Sequence, residues 1–365
     1  MSLPAHLSSP REARVSIAMA TYNGARFIQE QLDSFLAQTH LPWELVITDD
    51  QSTDETEQIV NAFAEKAPFR VRFIRNEDRL YFSSNFMKAA PLCEGDFIAF
   101  SDQDDIWDPR KIELSLDALA QPGVVLCVHD ATKVNEQLEP IGLETRRGVP
   151  KGILRDIDPF LVFSGFTCTF PRALLDLLPA EDRPFDLIEP HRPLTHDRWI
   201  CFLASLVGYI ANLPDLLALY RQHDSNAAGW MRDDRSAKQL FLSLRDKFGL
   251  YIEKRLQILR QLAKLARSVD ASSLDPSLFS AQQLAKRQKQ LDASVEAFAS
   301  RRLVAGCNSR IMRLVQMGRG VVRHAYRDPV TSGWSKRSLR IDFVGSLLGR
   351  RNQLDLARQQ LPQAS

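Results

Sequence analysis

Five short, mostly apolar runs, each parted from the next by a segment of helical period, constrain this chain more than any other feature. They occupy 15–20 (VSIAMA), 44–48 (ELVIT), 71–74, 97–100 (FIAF) and 124–128. Between them lie 26–38, 55–66, 84–92 and 109–119, the first placing Phe27, Leu32, Phe35 and Leu36 on one helical side. Apolar strands alternating with single helices predict an α/β protein, a Rossmann-like, mostly parallel central sheet with helices on both faces. At 365 residues and 44% apolar composition, the chain can build one large domain or two smaller ones. Ser52 or Thr53 is expected to cap the second helix. Pro109 opens the fourth helix, where its missing N–H costs nothing.

In such sheets ligands sit at the carboxyl ends of the strands. The polar clusters fall there: Thr21-Tyr22-Asn23, Asp49-Asp50, Asn76 and Asp102-Gln103-Asp104. The last belongs to FIAFSDQDDIW at 97–107, where Asp102, Asp104 and Asp105 follow a buried-strand run. Like charges this close repel, and each is costly to desolvate unless a cation neutralises it. A hard divalent metal at the sheet edge answers that chemistry; solvated aspartates in a polar turn are the alternative. Four consecutive strand ends of this kind favour a shared cleft over four unrelated turns. There is no GxxxxGK loop, and no GxGxxG follows the first strand. A nucleotide here would be held by side chains and a metal.

After Asp130 the alternation becomes irregular, with a hairpin expected near 133–142 and a strand at 165–170. Thr195-His196-Asp197-Arg198-Trp199 opens an apolar helix to about Val207, in which Asp197 also suits a stabilising first-turn carboxylate. A run at 216–220 ends in Arg221-Gln222-His223; the histidine is either structural or a metal or phosphate partner. From 236 onward the pattern is helical. Between 301 and 351 the chain carries 12 Lys/Arg against Asp328 and Asp342, a net of +10 in a chain of net +2. That basic amphipathic tail suits an anionic membrane surface. A helical subdomain that packs on the body or mediates homo-oligomer formation is the alternative. The basic residues form no recognisable nucleic-acid reading module, so no nucleic-acid partner is expected.

The five cysteines, Cys93, Cys127, Cys168, Cys201 and Cys307, form no CxxC or Cys/His cluster. Buried thiols in a reducing compartment are the expectation. Residues 1–14 lack the apolar core of a signal peptide and are expected to be a flexible segment. The longest uncharged apolar stretch, 200–213, is too short to span a bilayer. A cytoplasmic protein, peripheral on the inner face of the membrane, is expected.

With these residues collected, residues 15–230 resemble glycosyltransferase family 2, inverting enzymes of the GT-A fold. The resemblance rests on VSIAMATYNGARFIQEQLDSFLAQ, ELVITDDQSTDET, FSDQDDIW, HDRW and LYRQH, in the family's order and spacing. The DQDDIW form and the QLDSFLAQ helix are most similar to bacterial rhamnosyltransferases of surface polysaccharide synthesis. Residues 231–365 are a helical, basic region without a motif.

The resemblance implies that Thr21, Tyr22 and Asn23 line the nucleotide pocket, and that Asp50 accepts the N3–H of a uracil or thymine base. Asn76 and Gln103 join the nucleotide-sugar site, Asp102 meets the ribose or a metal-bound water, and Arg221 meets the diphosphate. Asp104 and His223 are the implied ligands of Mg²⁺ or Mn²⁺, and Asp197 the implied general base. Arg198 stands where close relatives often carry an aromatic residue. The expected reaction moves a sugar, L-rhamnose from dTDP-rhamnose, to a hydroxyl of a glycan or lipid-linked acceptor. The alternatives are a UDP-hexose donor, or a non-catalytic nucleotide-sugar-binding assembly protein. A nucleotidyltransferase would need a glycine-rich triphosphate loop that ATYNGAR does not supply.

Overall fold

The computed structural model describes residues 9–146, 148–185, 192–224, 237–307 and 309–322, with short pieces at 325–326, 338–339, 342–343 and 346. Side chains are described throughout these except at 11 and 237–249. Two compact units emerge, one made of Met1–Glu181, Thr195–Gly229 and Asp270–Leu284, the other of Asp182–Leu194, Trp230–Val269 and Ala285–Ser365.

The first unit opens with the anticipated alternation: β1 (Val15–Thr21), α1 (Ile28–Leu36), β2 (Glu44–Asp49), α2 (Thr56–Ala64), β3 (Arg70–Arg75), α3 (Tyr81–Leu92) and β4 (Phe97–Ser101). These four strands are parallel, in the order β3-β2-β1-β4. β2 and β4 are buried at every residue and β1 at all but one, because helices cover both faces; β3, further out, is half-buried. Ile28, Leu32 and Phe35 of α1 and Val60 and Phe63 of α2 pack into the same core as Ile17, Leu45 and Phe97. The chain crosses from β3 back past β1 to reach β4. That reversal opens a crevice between the ends of β1 and β4, where doubly wound sheets bind ligands.

The remainder of the sheet is mixed. β5 (Ile106–Trp107), α4 (Lys111–Leu119), β6 (Val124–Val134), β7 (Pro140–Glu144), β8 (Gly152–Leu154), β9 (Thr169–Pro171), α5 (His196–Val207) and β10 (Tyr209–Arg221) follow. The full order is β3-β2-β1-β4-β9-β6-β10-β5, with β7 on β6 and β8 on β10. Only β6 and β10 among these later strands run parallel; β9 lies antiparallel between β4 and β6. The 165–170 stretch is a 3-10 turn, Gly165–Thr167, before β9. The apolar 200–213 run divides at Gly208 into α5 and β10, because Gly208 abuts Val125 so closely that a Cβ would lie 2.6 Å from it. Neither Ser52 nor Thr53 caps α2: the Ser52 hydroxyl donates to Asp49, and Asp54 accepts the Thr56 N–H at 3.1 Å. Order also begins before β1, since Arg14 binds Asp96 through its backbone N–H and its guanidinium.

In the second unit α6 (Ala237–Ser268), α7 (Ala281–Gly306) and α8 (Arg310–Val322) dominate. Ile252 and Ala305 pack with Tyr251 and Phe298. Arg301 forms a bidentate pair with Asp342, which also accepts from the Tyr326 hydroxyl, all three buried. Part of the basic excess is therefore internal rather than a continuous surface. The expected boundary near 230 and most of the tail after 322 fall outside the described residues. No helix among the described residues is long and apolar enough to cross a membrane.

Asn85 of α3, fully buried, braces the strand ends. Its Nδ2 donates to the carbonyls of Thr48 (2.9 Å) and Thr21 (3.3 Å), and its Oδ1 accepts from Asn76. Asn85→Ala strands these buried groups and should lower unfolding free energy by about 2–4 kcal/mol in a urea titration.

Candidate active site

Two loops interlock at the end of β1. Asn23 adopts φ +47°, its N–H donates to the Ser52 hydroxyl (2.8 Å), and its Oδ1 accepts the Thr53 N–H (2.8 Å). Gly24 and Ala25 donate their N–H groups to Thr56 and Asp54. Thr21 donates its hydroxyl to Asp49, whose other oxygen accepts the Ser52 N–H. Gln103 reaches back from the acidic loop and pairs with both backbone groups of Tyr22, at 2.9 and 3.0 Å. Gly24 is needed beneath it, since a Cβ there would lie 2.4 Å from the Gln103 Oε1. Thr21, Asn23 and Gln103 thus hold the rim together through their own side chains.

Asp50 is 2% exposed and anchors the segment after β3. Its Oδ1 accepts from Asn76 Nδ2 (3.2 Å) and the Leu80 N–H (2.6 Å), and its Oδ2 from the Tyr81 N–H (2.8 Å). A carboxylate offers about four lone-pair directions. Three are engaged within the protein, so the implied base contact at Asp50 has at most one left. Tyr22 is exposed, with the Arg79 guanidinium stacked 3.9 Å over its ring.

The acidic loop is where the electrostatics concentrate. Burial, then Asp104 and Asp197, push the Asp102 carboxyl up to about 7. Burial, then Asp104 and Asp102, push the Asp105 carboxyl well above the usual carboxylate range. Asp105 accepts the Arg221 N–H at 3.1 Å and fastens β10 to the loop. The balancing group is Lys111, fully buried, whose Nζ donates to the Phe166 carbonyl (2.7 Å) and sits 3.5 Å over the Trp107 ring. Burial pulls this amine down to about 7 while Asp105 and Asp102 hold it up.

Asp104 Oδ2 lies 2.8 Å from His223 Nε2, and the imidazole packs on Phe27 at 4.8 Å between centroids. Among the described residues no group of three or more His, Cys, Asp or Glu is arranged around a common cation position. The donor set nevertheless fits a hard divalent cation: two groups converge, a second carboxyl stands beside them, and the local negative charge exceeds what Lys111 balances. Any further ligands would come from the substrate or water.

Arg221 is placed differently from the implied diphosphate contact. It is 1% exposed, and its guanidinium donates to the carbonyls of Asp104 (2.9 Å) and Glu136 (2.9 Å) and to the Glu30 carboxylate (2.7 Å). With Nε, Nη1 and Nη2 all engaged inside the protein, it serves as a clamp between β10 and the acidic loop.

Asp197 opens α5. Thr195 Oγ1 and the Arg198 N–H (2.7 Å) both donate to its Oδ1. His196 seats the helix start: its ring stacks on Phe86 at 4.2 Å, edge-on to Phe100 at 5.2 Å, and its N–H donates to Ser83. Gly165 admits that ring, since a Cβ would stand 2.2 Å from the His196 Nε2. The result brings Asp197 close enough to Asp102 to raise its pKa. The sequence reading missed Lys111, Asn85 and His196. Lys111 and Asn85 sat in helical periods as ordinary polar positions and His196 within HDRW beside the implied base; only tertiary burial gives each its role.

A GT-A-like α/β sheet with acidic and polar side chains gathered at its strand ends is the class of protein these features define. Residues 16–177 match the family model Glycosyl transferase family 2. An uncharacterized glycosyltransferase of Nostoc sp. is 27% identical over 219 residues, 58% of this chain and 66% of its own length. The Escherichia coli UDP-Glc:alpha-D-GlcNAc-diphosphoundecaprenol beta-1,3-glucosyltransferase WfgD is 34% identical over 110 residues, 30% of this chain and 42% of its own. The chain spans 66% or less of the length of these curated relatives. A crystal structure of S. aureus TarS, residues 1–349, superposes with TM-score 0.50 at 18% identity, covering 95% of this chain and 91% of that one, a likeness of fold.

Lys111→Met leaves Asp102 and Asp105 without their buried countercharge and should cost about 3–5 kcal/mol of stability. In a thermal melt, added Mn²⁺ should raise the midpoint of Lys111→Met more than that of the wild type.

Proposed function

We propose that the chain transfers a sugar from a nucleotide-diphosphate donor to a hydroxyl of a glycan or lipid-linked acceptor, with inversion at the anomeric carbon. The observation that supports this reading is that Asp197, at the start of α5, lies near enough to Asp102 of the acidic loop for its charge to help raise the Asp102 pKa. A candidate base and a candidate donor-binding carboxylate thereby share one site.

Asp197 takes the proton of the acceptor hydroxyl as its oxygen attacks the anomeric carbon. The Thr195 and Arg198 hydrogen bonds both fall on Oδ1 and fix the carboxylate's orientation for that transfer. Asp102 faces the donor's ribose. Tyr22 lends its exposed ring to the base, and Asn76 and Asp50 set the pocket's far wall. Asp104 and His223 are the residues that would hold Mg²⁺ or Mn²⁺. When bound, that cation supplies positive charge against the negative charge developing on the leaving diphosphate. Gln103 and Arg221 act by positioning, the first by joining the rim to the acidic loop and the second by clamping β10.

The donor we propose is dTDP-L-rhamnose, on the similarity of DQDDIW and QLDSFLAQ to rhamnosyltransferases. A UDP-hexose is the second reading, favoured by the UDP-Glc donor of the similar Escherichia coli glucosyltransferase WfgD. The setting is the cytoplasm, at the inner face of the membrane when the acceptor is lipid-linked.

Asp197→Asn removes the base and preserves the shape. With dTDP-rhamnose or UDP-glucose, Mn²⁺ and a saccharide acceptor, the variant should lose at least about 10²-fold in turnover while donor binding survives. Wild-type turnover in the variant would remove Asp197 from the mechanism.

A further inference from the structure

In water a surface helix turns its apolar stripe inward and its charged face outward. α8 does the reverse. Its inner face is Arg313 and Gly320: Arg313 is buried and donates through Nε to the Cys307 carbonyl (2.6 Å). Gly320 is buried against Tyr326, where an added Cβ would come within 3.1 Å of the ring. The outer face carries Ile311 (74% exposed), Leu314, Val315 and Val322 (78% exposed), at intervals of three, four and seven residues, with Met312 beside them. Gly318 lies on the same outer face and its Cβ position meets no other atom. Single exposed apolar residues are ordinary; a stripe of them along one helix marks a surface that is covered in use.

The charge around this stripe selects the cover. α8 contains no Asp or Glu, and Arg310 and Arg319, both exposed, flank the stripe near its two ends. A helix of apolar outer face, arginine flanks and no acidic residue matches an anionic bilayer, with aliphatic side chains at the acyl boundary and guanidinium groups among the phosphates. Thirteen residues and three arginines make it an element that lies on a membrane, not one that crosses it.

We infer that α8 seats the protein on an anionic lipid surface through Ile311, Leu314, Val315 and Val322, with Arg310 and Arg319 engaging the lipid phosphates. This deepens the proposed setting at the membrane face by naming the element that makes the contact. Vesicle binding reads it without any sugar transfer, so failure of the transferase reading leaves the result standing.

The test is flotation of the full chain with phosphatidylglycerol/phosphatidylcholine vesicles and with pure phosphatidylcholine vesicles. The wild type should float with the anionic vesicles only. Ile311→Glu combined with Val322→Glu should weaken that partitioning by about tenfold or more, with far-UV circular dichroism and melting midpoint unchanged. Arg310→Gln combined with Arg319→Gln should abolish the preference for anionic over neutral lipid. Absence of flotation, or equal flotation of the double glutamate variant, overturns the inference. So does a wild-type dimer that the glutamate variant converts to monomer in analytical ultracentrifugation, because a second copy would then be what covers the stripe.

Discussion

Three carboxylates within four residues at the end of a buried strand cannot share a desolvated sheet edge without positive charge, and the site is built around that constraint. Lys111 supplies part of it from beneath, held by the Phe166 carbonyl and the Trp107 ring. The end of β10 and the residues just after it add hydrogen bonds, as the Arg221 N–H reaches Asp105 and His223 Nε2 lies 2.8 Å from Asp104 Oδ2. Burial still pushes Asp102 and Asp105 upward, so the protein's own groups leave the balance incomplete. In the proposed reaction a divalent cation, arriving with the donor's diphosphate, would complete it. The strand order explains where this happens, because the reversal between β1 and β4 is the point at which helices part and leave the strand ends open.

The parallel half of the sheet was legible in the sequence because each of its strands is buried on both faces and reads as an apolar run. The mixed half was not. β5 and β9 are two and three residues long, too short for any period, and β10 hides its first half in an apolar run shared with α5. The cluster of polar strand ends was visible as residue types. What each side chain does there depends on partners far away in sequence. Asp49 and Asp50 look equivalent in the sequence, yet one locks the loop at Ser52 and the other caps the chain at Leu80 and Tyr81. Arg221 reads as an available cation until its donors are found engaged by Glu30, Asp104 and Glu136. Lys111 reads as a solvated first-turn lysine until its burial is known.

The second unit teaches the opposite lesson. A count of Lys and Arg suggested one continuous basic surface, but Arg301 and Arg313 are buried, Arg301 paired with Asp342. What remains outside is a shorter and more distinctive feature: a helix whose Arg313 and Gly320 face inward and whose Ile311 and Val322 face out. Composition announced a membrane-compatible region. The proposed contact lies on one exposed apolar helix face, that of α8.

The central claim is that the acidic loop at the end of β4 binds a nucleoside diphosphate through a divalent cation. Calorimetric titration of the full chain with dTDP and with UDP, in Mn²⁺ and then in excess chelator, tests this directly. The account predicts a saturable one-to-one binding heat for at least one nucleotide in Mn²⁺ that vanishes in chelator. Equal binding with and without the cation would contradict it, as the carboxylates would then be tolerating the diphosphate unaided.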